Sequence, residues 1–141
     1  MKMIILGMAL GVLAWLDFKD KEIPLWICVL EIIVGLGFAF FERRELMSLL
    51  LACIPGGMAI VFSWISREAI GYGDGIVLVM LGCYLSLSQV LSIGLQAFGV
   101  AGVVAFILLV VFRKNGRYRI PFIPFLALLF GWECLMQLGE L

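Results

Sequence analysis

Of the ten acidic residues, two are placed where paired carboxylates could do chemistry. Asp17 closes one apolar stretch, and Asp74 opens another from within the run Gly71-Tyr72-Gly73-Asp74-Gly75. Two carboxyl groups held at one site cannot both ionise easily, so they share a proton. The ionised one can then act as general base on a water while the protonated one polarises a carbonyl, as in an aspartic protease dyad. Plainer readings exist for the same residues. Asp17 can pair with Lys21, four residues on along a helix, and Asp74 can be the N-cap of the segment that follows.

Whether the two aspartates meet depends on the elements that carry them. The chain has 141 residues, 65% of them hydrophobic, with mean hydropathy +1.19. A soluble domain is about 45–50% apolar, so this is the composition of a membrane protein. Charged or turn-rich breaks at 17–22, 41–45, 66–74 and 113–119 leave apolar stretches at 3–16, 23–40, 46–65, 75–112 and 120–138. As one helix the fourth would run about 57 Å at 1.5 Å per residue, against about 30 Å of hydrocarbon. It must be two spans, and Ser86, Ser88 and Gln89 are the natural break. The expectation is an all-α polytopic membrane protein, a single domain (1–141) built as a bundle of six transmembrane helices.

Lys and Arg are distributed unequally between the loops. Lys19, Lys21, Arg67, Arg113, Lys114, Arg117 and Arg119 fall in the odd-numbered loops, and Lys2, Arg43 and Arg44 on the other side. The positive-inside rule puts the odd loops in the cytoplasm and both termini outside. Asp17 and Asp74 both lie on odd loops, and therefore on one membrane face. Lys2 before a short apolar core resembles a signal peptide, but no small-residue cleavage site follows, so the first helix is expected to be retained.

Composition also excludes. There is no histidine, which removes Ser-His-Asp and Cys-His catalysis and HExxH zinc sites. The four lysines lie at span edges, which disfavours a serine–lysine peptidase. Cys28, Cys53, Cys83 and Cys134 are dispersed in apolar segments without a CxxC pair and read as buried thiols, so no metal and no cofactor is expected. Basic and acidic residues balance at ten each, so nucleic acid is not an expected partner. The lipid bilayer is.

Other features have structural explanations first. Gly7 with Gly11, Gly35 with Gly37, and Pro55-Gly56-Gly57 are read as close helix packing. Glu31 and Glu133 lie inside spans, where an ionisable residue is a functional candidate by default. A hydrogen bond to a neighbouring helix would also explain either one. The remaining acids, Asp20, Glu22, Glu42, Glu45, Glu68 and Glu140, read as solvated surface.

Three pieces of the sequence taken together resemble the type IV prepilin peptidases, or type IV leader peptidases. They are Gly71-Tyr72-Gly73-Asp74, matching a GxGD signature; Asp17 followed by Ile23-Pro24; and the run Ile120 to Gly131, IPFIPFLALLFG. The resemblance implies a six-helix core in the plasma membrane of a prokaryote. Its substrates are prepilin-like proteins, whose short basic leader is cleaved at the cytoplasmic face. It implies Asp17 and Asp74 as the catalytic pair. Gly71 and Gly73 would free the backbone around Asp74, and Ile23-Pro24 would start the second helix. Asp20, Glu22 and Glu68, on the same loops, are candidates to attract the basic leader. Larger members of that family carry a cytoplasmic insert with paired CxxC motifs and methylate the new pilin. This chain has neither motif, so methyl transfer is not expected. It also lacks the lysine that often follows the GxGD aspartate. Two rival readings differ in which acids they need. A small transporter would depend on Glu31 or Glu133, and a non-catalytic pilus or secretion assembly subunit would survive loss of either aspartate.

Overall fold

The computed structural model describes residues 1–67, 71–113 and 120–140. Among them are six helices: α1 Lys2–Asp20, α2 Leu25–Phe41, α3 Leu46–Ile65, α4 Tyr72–Tyr84, α5 Leu87–Val110 and α6 Ile123–Gly139. Among the described residues there is no strand. Each apolar stretch has become one helix, and the long fourth stretch has become two. The break falls at Leu85-Ser86, where Gln89 Oε1 accepts the Ser86 N–H at 3.1 Å. That is half of a capping box, which satisfies an amide a continuous helix would have used itself.

The helix edges explain themselves locally. α1 runs one turn beyond the apolar stretch and takes in Asp17. It ends where Lys21 adopts a left-handed conformation (φ 53°) and its N–H donates to the Asp17 carbonyl at 3.0 Å. Pro24 is the N-cap of α2, a place where a missing N–H removes no helical bond. Gly71 is the N-cap of α4, and the Asp74 N–H donates to its carbonyl at 3.1 Å. The capping role considered for Asp74 therefore falls to Gly71, and Asp74 lies inside the first turn.

Two of the helices, α3 and α5, are long and apolar enough to cross a membrane by length and composition. α2, α4 and α6 are shorter apolar helices. Many large apolar side chains of the described residues are exposed. Leu25, Val29, Ile33, Leu36 and Phe40 form an exposed stripe on α2, and Ile4, Met8, Val12 and Trp15 form one on α1. Exposed apolar stripes of this kind mark surfaces for lipid or for another apolar partner.

The centre of the bundle is α4, which packs on α3, α2, α5 and α1, while α6 closes against α1 and α5. Small residues set its distance from α3. A methyl group on Gly56 would strike the Val79 backbone nitrogen, and one on Gly82 would lie 2.5 Å from the Ala52 carbonyl oxygen. The packing role read into Gly35 and Gly56 holds, with Gly35 against Cys83 and Tyr84. Gly11, Gly37 and Gly57 face open space and Gly7 touches only Phe130. Those four do not bring helices into tight contact, because their faces point away from a neighbouring backbone.

The end of α4 away from Asp74 is held by polar contacts. The Arg44 guanidinium donates to the carbonyls of Gly82 (3.1 Å) and Leu85 (2.7 Å), which would otherwise lack partners at a helix C-terminus. The Tyr84 hydroxyl donates to Glu31 Oε2 at 2.8 Å. At the same end of the bundle, Lys2 pairs with Glu42 at 2.6 Å.

Candidate active site

Asp17 lies in the last turn of α1 with 7% of its surface exposed. Its carboxylate is turned into the protein, where Oδ2 accepts the backbone N–H of Ile123, the first residue of α6, at 3.2 Å. Burial disfavours the charged form of such a group, while an amide donor and the positive end of a helix favour it. The same residue is tied twice, since its own carbonyl receives the Lys21 N–H.

Asp74 lies in the first turn of α4 and is partly buried. Its neighbour Gly73 is pressed against Ile23 so closely that a methyl group there would collide with the isoleucine side chain. Ile23 itself lies in the link between α1 and α2, six residues after Asp17. The three separated pieces of sequence are therefore joined by two contacts, Asp17 with Ile123 and Ile23 with Gly73, and α1 packs directly on α4. Both aspartates stand at N-terminal ends of helices, Asp74 on its own α4 and Asp17 against α6. Partial positive charge at those ends favours an ionised carboxylate there.

The type IV leader peptidase family matches residues 4–112, most of the chain and both aspartates. The chain belongs to this family. No curated protein and no solved structure matches it significantly. Membership makes a peptidase of the leader-peptidase kind the function to be explained. It also frames the remaining acids of this family member. Asp20, the last residue of α1, and Glu22, just beyond it, are exposed, and Glu68 lies outside the described residues. Glu31 is buried but engaged by Tyr84, so the neighbouring-helix explanation accounts for it. Glu133 lies beside Gln89 and Gln137, on the half of α6 away from Ile123.

The roles of the motif glycines differ from the expectation. No described glycine has a positive φ, and Gly71 is extended at φ −63°, ψ 136°. Gly73 is helical and is small because Ile23 occupies the space. What the motif provides is close approach and not a free loop. Two further groups were not anticipated. Arg44 counted only as a loop charge, although an arginine facing the end of a short helix is a capping signal. The Ile123 amide had no signal beyond the prolines around it. A depression of about 550 Å³ lined by Ala39, Phe40, Phe41, Arg43 and Arg44 lies past the C-terminal end of α2. Ile23 and the two aspartates are at the other end, so the depression adds nothing to the site.

Proposed function

We propose that the protein is a membrane aspartic endopeptidase that removes the basic leader from prepilin-like proteins, with Asp17 and Asp74 as its catalytic pair. The observation that carries this reading is the convergence, at one end of the bundle, of the α1 terminus, the α4 first turn and the α6 start. One aspartate, ionised, takes a proton from water, and the resulting hydroxide adds to the scissile carbonyl. The other, protonated, donates to the carbonyl oxygen. Collapse of the tetrahedral intermediate passes a proton to the leaving amine and breaks the C–N bond. All six helices cross the membrane, with the termini outside and the aspartates facing the cytoplasm. The charge asymmetry of the loops and the apolar outer faces support that arrangement.

The assay is cleavage of a prepilin-like substrate in membrane vesicles. Groups that act as a unit are strongly non-additive, so Asp17→Asn, Asp74→Asn and the double variant should fall to one common residual rate. Membrane levels should be unchanged. In inverted vesicles a leader presented from the medium should be cleaved, and in right-side-out vesicles it should not. Robust cleavage by either single Asn variant ends the dyad reading, and cleavage confined to right-side-out vesicles reverses the orientation.

Asp20, Glu22 and Glu68 attract the Lys- and Arg-rich leader in this reading. Neutralising all three should raise KM with little change in kcat, most at low salt, because exposed charges are screened over about 8 Å at physiological ionic strength. A salt dependence identical to the unmodified protein's removes these residues from leader binding.

A further inference from the structure

We infer that the backbone amide of Ile123 is a positioning group for catalysis, and that the start of α6 exists to aim the Asp17 carboxylate. This rests on the peptidase reading and extends it to a part of the chain beyond residues 4–112, where the family match ends. The contact joins residues 106 positions apart, so no local folding preference explains it. Asp17 is 7% exposed and Ile123 fully buried. Water is thus kept from competing, and a hydrogen bond to a carboxylate in such surroundings is strong.

The local sequence prepares the donor. The first amides of any helix lack intrahelical acceptors. In the run Pro121-Phe122-Ile123-Pro124 the two prolines have no N–H to offer. Pro124 removes one amide of the first turn, and of those that remain at the mouth of α6 it is the Ile123 N–H that meets Asp17, where the helix dipole also favours an anion. Oδ2 of Asp17 accepts this bond, and Oδ1 accepts none among the described residues. The arrangement therefore fixes the plane of the carboxylate and assigns Oδ1 as the oxygen that handles the proton of the attacking water.

Replacing Ile123 by its α-hydroxy acid turns one amide into an ester and removes this N–H while keeping the side chain. The control is the same replacement at Leu126, whose N–H donates to the Phe122 carbonyl at 3.3 Å in the same turn. Misplacement by about 1 Å can cost about 100-fold, so the ester at 123 should lower kcat by about 10- to 100-fold with KM unchanged. The ester at 126 should leave kcat within about 2-fold. Unchanged kcat at 123, or an equal fall at both positions, overturns the inference while leaving the dyad intact. If the unmodified protein cleaves no prepilin, the peptidase reading itself fails and takes this role with it. Should the ester at 123 fail to insert, hydrogen exchange of the Ile123 amide decides. Exchange should be slow in the intact protein and in Asp17→Asn, which retains an acceptor, and much faster in Asp17→Ala. Equal exchange in all three overturns the inference.

Discussion

α4 and α5 come from one unbroken apolar stretch, yet the protein treats them oppositely. α4 has 13 residues, and from Gly75 onward most of them are buried. α5 has 24 residues, and its buried positions, Val90, Ile93, Gly94 and Ala97, all lie in its first half. Beyond them Val103, Phe106 and Val110 are exposed. Hydropathy does not make this choice, because both halves of the stretch are apolar. Shape made it. Gly75 and Gly82 of α4 meet Gly56 and Ala52 of α3 backbone to backbone, whereas Gly99 and Gly102 of α5 face open space. The helix that carries Asp74 is the one whose position is most tightly determined.

This contrast can be broken by substitution. Gly56→Leu should have the largest effect, because the new side chain meets the Val79 backbone nitrogen and the Gly75 carbonyl oxygen (2.8 Å), neither of which can turn aside. Overpacking typically costs 1–3 kcal/mol and at times more, and with backbone on the far side we expect about 3 kcal/mol or more. Cleavage should be lost as α4 shifts. Gly99→Leu, equally large but on α5, should stay within about 0.5 kcal/mol, as unconstrained surface positions do, and should cleave normally. Thermal unfolding in detergent, with cleavage measured in parallel, compares the two. Equal losses at both sites would erase the distinction between the helices.

Tyr84→Phe sharpens the same contrast at a middle magnitude. It leaves the buried Glu31 carboxyl without the hydroxyl that now reaches it at 2.8 Å, and an abandoned buried acceptor costs about 1–3 kcal/mol. Because Tyr84 is far along α4 from Asp74, stability should fall more than cleavage. Unchanged unfolding in Tyr84→Phe would mean that the Glu31 contact takes no part in holding α4.

Much of the architecture was legible before any coordinates. A span must be long and apolar, and charges inside one are expensive, so the break at 41–45 could be read directly and that at 17–22 only to within a turn, since α1 continues to Asp20; residues 114–119 lie outside the described residues. Ser86 and Gln89 mark a helix start through their own side-chain chemistry. Asp17 and Asp74 announced themselves as acids at apolar edges, and Gly56 as a small residue in a span. Less legible were the reasons behind the motif. Gly73 is explained by Ile23, and nothing in either local sequence names the other as its neighbour.

The residue pattern alone determined six apolar helices, their approximate limits and the family, because hydrophobic length and motif spacing are properties of the chain itself. Tertiary structure alone decided which helix lies at the centre, that Arg44 holds the far end of α4, and that the Asp17 carboxylate meets an amide 106 residues away. Large apolar side chains lie both inside and outside the bundle, so the hydrophobic pattern does not distinguish the two. Those choices fall to backbone proximity and to where unsatisfied polar groups find partners, and both exist only once the helices are packed.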